Sequence, residues 1–585
     1  METLNWLEWD DAAFEKARLE NKPILLTIVA SWCRWCKSME ETVFTAEAAR
    51  GIIEREYIPV RVDKDKRPDI NERYNMGGWP SCAILNSDGE VITGGTYFKA
   101  DELATLLEKV ATAYRDRKDK IEDIINSTVK EEEEGQREKD ARKGALSTEI
   151  ITNVSRAIIG EFDEKYGGFG QGQKFPHPEA IDFAILQYYK TNDLKILGII
   201  NKTLEAMADG DLCDSIGGGF FRYCTTRDWR VPHTEKLLET NVGLLHNYVF
   251  AYQVTGRDKY LHVARKTADY ICANLWDADY GAFRSSQDAD DDYYQLDELS
   301  RRDRKPPASD RTIYANTNAM AAAVFLEISP VLQAPILKDM ALQAISFVLN
   351  KLYSPDRGVY HYYDGSRHIL GLLTDQVYLA RALLSAVEYA GVNEFMDTLR
   401  NLVDTIIKKQ ESDHGGFYDI SEMNGARGGL RRRNKSILEN AAVAEALIRL
   451  HFLTFDENYL KVAENTLSAF TKDYHLYGYF TAGYARAVDL IYNKPLYVII
   501  VGPRDDDGTN ALAAEASKHF LAARVLMTID PKKEQELASS MEFPLDKEPT
   551  AYVCMEKTCH AAIVDPKELR AAMMKVETDR NNRGR

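Results

Sequence analysis

Between Ser147 and about residue 493 one short mark recurs six times, and it constrains the fold more than any other feature of the chain. An Asp-rich turn is followed by Gly and an aromatic residue: Asp163 with Gly168-Phe169, Asp214 with Gly219-Phe220, and Asp279 with Gly281-Ala282-Phe283. The second half repeats it as Asp356 with Gly358-Val359-Tyr360, Asp413 with Gly416-Phe417, and Asp473 with Gly478-Tyr479-Phe480. From Gly168 to Gly478 is 310 residues, a mean interval of 62. Between the marks apolar residues keep helical spacing, as in Val377, Ala380, Leu384 and Val387, or Leu460, Ala463, Leu467 and Phe470. The pattern predicts about twelve helices, joined alternately by short turns and by the Gly-aromatic loops. Six such pairs must bury their apolar faces on one another. Six is also the number that closes an (α/α)6 toroid, with all six loops at one end, where a pocket opens. The interval from Gly281 to Gly358 is longer and holds Ser285 to Arg311 with little periodicity; connections of that length are usually lids or disordered.

Both flanks read as α/β. Near the N-terminus, Ile24 to Val29 is a continuous apolar run of the buried-strand type, preceded by a helical pattern from Asp11 to Leu19. A helical stretch from Cys33 to Glu56, a strand at Tyr57 to Val62, and a hairpin about Asp88-Gly89 follow. Beyond Lys494, strands are expected at Leu496 to Val501, Arg524 to Ile529 and Thr550 to Cys554, with helices at Asn510 to Phe520 and Pro566 to Met574. The expected organisation is a multidomain α/β plus all-α chain. It comprises an α/β domain at 1–126, a charged linker or solvated helix at 127–146, the helical toroid at 147–493, and a small α/β lobe with a polar tail at 494–585.

Composition excludes several classes of function. The chain has 74 Lys and Arg against 91 Asp and Glu, a net charge of −17, which disfavours nucleic acid as a partner. No apolar run approaches the about 20 residues that span a bilayer, so no membrane partner is expected. Met1-Glu2-Thr3-Leu4-Asn5-Trp6 has neither a basic segment nor an apolar signal core, and a cytoplasmic location is expected. Eight Cys in 585 residues are too sparse for a secreted disulfide scaffold. A cysteine pattern in such a chain points to catalysis or metal binding.

The sharpest such pattern is Trp32-Cys33-Arg34-Trp35-Cys36-Lys37, directly after the first strand and at a helix start. A Cys at a helix N-terminus has its thiolate favoured by the dipole and the unpaired N–H groups, and Arg34 and Lys37 add positive charge. The second Cys, one turn on, resolves a mixed disulfide. Gly77-Gly78-Trp79-Pro80-Ser81 precedes a later strand, and Pro80 is a candidate for a cis bond facing the cysteines. Zinc needs four ligands, and no second Cys pair of suitable spacing lies in this unit. No metal or cofactor is therefore expected. Cys33 and Cys36 are the expected catalytic pair, with Trp32, Arg34, Trp35, Lys37, Trp79 and Pro80 as neighbours. Cys554 and Cys559, with His560, have four intervening residues, which is not the redox spacing, and read as structural. Cys82, Cys213, Cys224 and Cys272 read as buried small hydrophobes.

Residues 1 to about 110 resemble a thioredoxin fold, and specifically the N-terminal domain of the YyaL-like, spermatogenesis-associated thioredoxin-domain family. The resemblance rests on Asn21-Lys22-Pro23-Ile24, Val62-Asp63 with Arg67-Pro68-Asp69-Ile70, Gly78-Trp79-Pro80 and Gly95-Thr96-Tyr97-Phe98. Further on it is carried by Lys174-Phe175-Pro176-His177, Val231-Pro232-His233-Thr234-Glu235-Lys236 and Ser286-Gln287-Asp288-Ala289-Asp290. It implies a thioredoxin-like domain joined to a six-hairpin toroid related in shape to sugar epimerases and glycosidases. The chain departs from the family at Thr317-Asn318, where a Trp-Asn pair is expected, and around Lys435 to Asn440.

Within the toroid, Arg222, Tyr223, Trp229, His233, Glu235 and Lys236 cluster after the second Gly-aromatic loop, and Asp288 and Asp290 follow the third. A sugar pocket wants aromatic platforms and carboxylates, and a 2-epimerase wants a positioned base, for which His177 or His233 would serve. The same Asp residues also read as turn formers and caps. Three functions stay open: a thiol-disulfide oxidoreductase module on a toroid that binds a protein partner or a carbohydrate, a carbohydrate-active enzyme with a structural thioredoxin domain, and a non-catalytic scaffold.

Overall fold

Ile24–Val29 is buried at all six positions, because strands lie on both sides of it and helices on its faces. The computed structural model describes residues 4–140, 142–421, 426–540, 548–555 and 558–583. They fall into two compact units, one of residues 1–142 with 419–434, the other of 143–418 with 435–585.

In the first unit, helix α1 (Asp11–Glu20) leads into β1 (Ile24–Val29), α2 (Arg34–Thr42), α3 (Glu47–Glu56), β2 (Ile58–Asp63), α4 (Pro68–Tyr74), β3 (Ser81–Leu85), β4 (Val91–Gly95) and α5 (Ala100–Asp116). The sheet order is β2-β1-β3-β4, with β1 parallel to β2 and antiparallel to β3. This is the thioredoxin-like fold. The charged stretch beyond it is helix α6 (Lys118–Asp140), mostly exposed, as its Glu and Lys content demands. Residues 419–434, assigned by sequence to the toroid, belong to this unit. Arg73 pairs with Asp419 at 2.8 Å, Arg432 with Glu90 at 2.7 Å, and the Gly429 N–H donates to the Tyr74 hydroxyl at 2.6 Å.

Among the described residues of the second unit, twelve helices make up its part before Lys494: α7 (Glu149–Glu161), α8 (Pro178–Thr191), α9 (Leu194–Asp209), α10 (Leu238–Thr255), α11 (Asp258–Asn274), α12 (Ala315–Leu332), α13 (Pro335–Phe347), α14 (Leu373–Ala390), α15 (Met396–Gln410), α16 (Ile437–Thr454), α17 (Glu457–Ser468) and α18 (Ala482–Tyr492), leaving aside single short turns. The even-numbered helices touch in the cycle α8-α10-α12-α14-α16-α18 and back to α8, so the ring closes. All six Gly-aromatic loops run from an outer to an inner helix and share the end where the inner helices begin. This is an (α/α)6 toroid.

The recurring residues explain the recurrence. Asp163, Asp214 and Asp277 each accept two backbone N–H bonds of their own turn. In the third repeat the turn former is thus Asp277, not Asp279. Gly168 has φ 71°, and a Cβ there would lie 2.5 Å from the Trp229 ring. Asn241, Asn318 and Asn440 repeat one clamp from the first turn of an inner helix. Each side-chain oxygen accepts the N–H of Phe220, Phe283 or Phe417, and each side-chain amide donates to the same residue's carbonyl. The Ser285 to Arg311 connection is not an unstructured lid. It folds two short helices, and Arg301 donates to both oxygens of Asp214 at 2.9 Å.

The lobe follows as β5 (Leu496–Val501), α19 (Asp507–Ser517), β6 (Arg524–Ile529), β7 (Thr550–Met555), β8 (Thr558–Cys559) and α20 (Pro566–Arg583). Its sheet order is β6-β5-β7-β8. One face, with Ile499, Val501, Val525 and Met527, packs into the toroid core; Val498, Ile500, Leu526 and Val553 pack with Leu512, Ala516, Leu569 and Met573. Among the described residues no helix is long and apolar enough to cross a membrane.

Candidate functional site

Two features of the structure offer chemistry, one in each unit. In the first, α2 is short and begins at an N-cap that is itself Cys33. Its Sγ accepts the Cys36 N–H at 3.3 Å, taking one of the donors that a helix start leaves open. The same sulfur lies 3.8 Å from the Trp79 carbonyl oxygen, and the Trp79–Pro80 peptide is cis. Neither Cys33 nor Cys36 is part of a disulfide. The Cys33 sulfur first, and burial second, push the Cys36 thiol far above the ordinary range. Cys36 therefore keeps its proton while a neighbouring thiolate exists, which separates the roles of the two sulfurs.

Around them, Trp32 donates to Asp65 at 2.7 Å and meets Trp79 edge-on at 6.0 Å between ring centroids. The Lys64 ammonium lies 5.3 Å from the Trp32 ring and 5.0 Å from that of Trp79. Arg34, Trp35 and Lys37 are exposed, with Trp35 edge-on to Tyr97 at 5.5 Å. Cys33 is only 2% exposed; the residues beside it are the bulky Trp32 and Trp79.

In the second unit a cavity of about 550 Å³ runs down the axis of the ring. Its wall is built from ionisable residues spaced along otherwise apolar inner helices. His246 (α10) is held between Asp182 (α8) at 2.9 Å and Glu327 (α12) at 3.2 Å. The chain of bonds continues as Tyr389 (α14) donates to Glu327 at 2.9 Å and Arg524 donates to Tyr389 at 3.0 Å. Glu445 (α16) faces Arg381 at 3.4 Å and Arg486 at 3.9 Å, and Arg449 pairs with Glu388.

Burial by itself would lower the His246 pKa, but the Asp182 and Glu327 carboxylates outweigh it and hold it at about 9. Both its ring N–H groups are thus committed to carboxylates, so His246 serves as a fixed cation. Its folded value lies above the ordinary 6.5, so its contribution to stability is complete below pH 6.5 and is lost as pH rises through about 9. We expect the unfolding free energy of wild type to fall by about 3 kcal/mol across that window relative to His246→Gln. Denaturant melts of both proteins at pH 6.5 and 9 check this, and parallel losses would refute it.

The mouth, at the Gly-aromatic end, is aromatic. Phe480 stacks on Tyr479 at 4.4 Å, Tyr479 on Phe169 at 5.2 Å, and His177 meets Tyr479 and Phe480 edge-on at 5.0 and 5.2 Å. His177 sits at φ 49°, a left-handed backbone uncommon outside glycine. Burial and then the Lys174 charge lower its pKa to about 4, so its imidazole is neutral at pH 7. The opposite end is floored by the lobe. Phe520 packs on Phe250 at 5.0 Å and Tyr189 at 4.9 Å, and Gln253 donates to the Lys518 carbonyl at 2.9 Å.

Of the toroid residues singled out by sequence, only His177 borders this cavity. The others do not line it. Arg222, Tyr223, His233 and Glu235 form their own stack, with Tyr223 on His233 at 4.4 Å and Arg222 over Tyr223 at 4.8 Å. Glu235 sits 3.8 Å from His233 and 4.0 Å from Arg222. Trp229 is buried and donates to the Tyr166 carbonyl at 3.0 Å. Lys236 is consumed by Asp214 at 2.8 Å and the Gly218 carbonyl. Asp290 caps a short helix through Tyr293 N–H, and the Asp288 N–H donates to the Ala308 carbonyl. Asp182, His246, Glu327, Glu445 and their arginines were missed. The available signal was a lone charge inside a helix apolar on every side, as Glu327 is within Ala321-Ala322-Ala323-Val324-Phe325-Leu326 and Ile328.

Cys554 and Cys559, opposed residues of β7 and β8, are joined by a disulfide, with Cα atoms 4.0 Å apart. Glu556 and Lys557 of that segment lie outside the described residues.

The dithiol at the start of α2 on this sheet defines a thioredoxin-domain protein. A family model described as Thioredox_DsbH, a protein of unknown function, matches residues 1–132. Thioredoxin H-type of Fagopyrum esculentum is 33% identical over 106 residues, 18% of this chain and 82% of that protein. Spermatogenesis-associated protein 20 of Homo sapiens is 24% identical over 97% of this chain and 89% of its own length. Among solved structures, cellobiose 2-epimerase from Spirochaeta thermophila DSM 6192 aligns over 60% of this chain and 96% of its own, at 14% identity and a TM-score of 0.48. The chain is thus similar over nearly its whole length to spermatogenesis-associated protein 20, and its N-terminal domain belongs with the thioredoxins.

Proposed function

We propose that the protein is a thiol-disulfide oxidoreductase, with Cys33 the attacking sulfur and Cys36 the resolving one. The observation that carries this is Cys33 as the N-cap of α2, its sulfur within reach of the Cys36 N–H and the Trp79 carbonyl. A thiolate there is stabilised by helix-start N–H groups and is a good nucleophile toward a disulfide. Reduction of insulin disulfides, with dithiothreitol as the reductant, tests it: the chain is expected to accelerate the reaction above the reductant alone, and a rate equal to background would overturn the reading.

A second reading is that the toroid cavity binds a carbohydrate. What favours it is the pairing of aromatic residues at the mouth, Phe480 exposed and Tyr479 half-buried, with carboxylates and guanidinium groups below. A pyranose offers an apolar C–H face for stacking and hydroxyls that both donate and accept. Calorimetric titration with a panel of mono- and disaccharides is expected to give saturable binding to at least one, weakened at least tenfold, about 1.4 kcal/mol, by Glu445→Gln. No saturable binding across the panel would remove the carbohydrate reading.

A further inference from the structure

The lobe repeats the strand order and directions of the thioredoxin-like unit. In both, the second strand in the sheet order is the first in sequence, it runs parallel to one neighbour and antiparallel to the other, and a fourth strand pairs antiparallel at the edge. Helix α19 between β5 and β6 stands where α2 and α3 stand, the short Gln535–Ser540 helix where α4 stands, and α20 where α5 stands. Pro549 immediately precedes β7 as Pro80 precedes β3, and a Cβ on Gly502 would come within 3.2 Å of it. Asp506 takes the place of Cys33: it is the N-cap of α19, its carboxylate accepting from Gly508 and Thr509. A carboxylate does the sulfur's structural work, and it cannot exchange electrons.

The cysteines of this second copy sit instead on its edge hairpin. Cys554 is buried in the toroid-facing core, whereas Cys559 is exposed on the outermost strand. Cys559 is thus the sulfur of the bridge that faces solvent, and a bimolecular attack is directed there. The bridge spans five positions in sequence, so it constrains the unfolded chain less than a long-range crosslink does.

We propose that Cys554–Cys559 is an exchangeable disulfide, the substrate of a CxxC dithiol, and that the Cys33/Cys36 pair of another copy of this chain serves as that dithiol. The inference rests on the oxidoreductase reading above. The Cys33 thiolate bonds to the Cys559 sulfur as the Cys554–Cys559 bond breaks, and Cys554 leaves as a thiolate that takes a proton from water. Cys36 then gives up its proton and attacks the Cys33 sulfur, closing Cys33–Cys36 and releasing Cys559 as a thiolate that is protonated in turn. Two electrons and two protons pass from one cysteine pair to the other, and no further reagent is consumed.

The test uses two full-length variants. The donor is Cys36→Ser with Cys554→Ser and Cys559→Ser, reduced and freed of reductant. The acceptor is Cys33→Ser with Cys36→Ser, oxidised with glutathione disulfide and checked for the bridge by peptide mass spectrometry. Mixing is expected to give a crosslinked dimer whose only new disulfide joins Cys33 to Cys559. A crosslink at Cys554, or an acceptor that never forms the bridge, overturns the proposal. So does a donor that reacts with dithiobis(nitrobenzoate) at Cys33 yet leaves the acceptor untouched, and in that case the oxidoreductase reading stands. A donor inert to both reagents removes the two readings together. A Cys33→Ala with Cys36→Ala acceptor guards against misfolding of the serine form.

Discussion

Cys36→Ser, incubated with a disulfide-bearing protein, is expected to accumulate mixed disulfides through Cys33, whereas Cys33→Ser accumulates none. Both variants should lose insulin reduction to background. The asymmetry follows from geometry. Cys33 sits at the helix start beside the Trp79 carbonyl, and Cys36 is one turn in, its thiol pushed up by the neighbouring sulfur and by burial. Without Cys36 the first exchange still proceeds and the second cannot. Nonreducing electrophoresis and mass spectrometry read the outcome. Equal trapping by both variants would leave the pair as packing residues. Because Cys33 is buried, Trp79→Ala is expected to speed its alkylation, separating access from reactivity.

The largest loss of stability is expected at Asp214. Its carboxylate, almost fully buried, neutralises Lys236 at 2.8 Å and Arg301 at 2.9 Å, both buried as well. Asp214→Ala strands two cations away from water and removes two turn hydrogen bonds, and it is expected to cost about 3–5 kcal/mol in denaturant melts. Asp279→Ala, at an exposed side chain in the third repeat, is expected to change stability by less than about 0.5 kcal/mol. Similar losses for the two would mean that the buried triad is not what holds the second loop.

The amino-acid sequence by itself determined the number of hairpins, the end at which their loops gather, and the strand-CxxC-helix unit. These are local matters. A buried strand such as Ile24–Val29 is a run of apolar residues, an amphipathic outer helix shows its stripe, and a turn needs its Asp and Gly wherever it stands. Asn318, next to Thr317 where the family pattern differs, clamps Phe283.

The cavity was decided only by the tertiary structure. Inner helices such as α10 and α12 are covered on every side, by outer helices, neighbours and the lobe, so no stripe marks the face that turns to the axis. Only the packing of the neighbouring inner helices α8, α10 and α12 brings Asp182, His246 and Glu327 to one place, and only then does His246 become a fixed cation. The same holds for Lys236 and Trp229, whose residue types suit a pocket but whose loops fold them inward to serve Asp214 and Tyr166. The thioredoxin topology of the lobe was likewise hidden. Strand positions are written in apolar runs, whereas strand order and direction depend on which edges meet, and Asp506 at the helix start removes the cysteine that would have marked it.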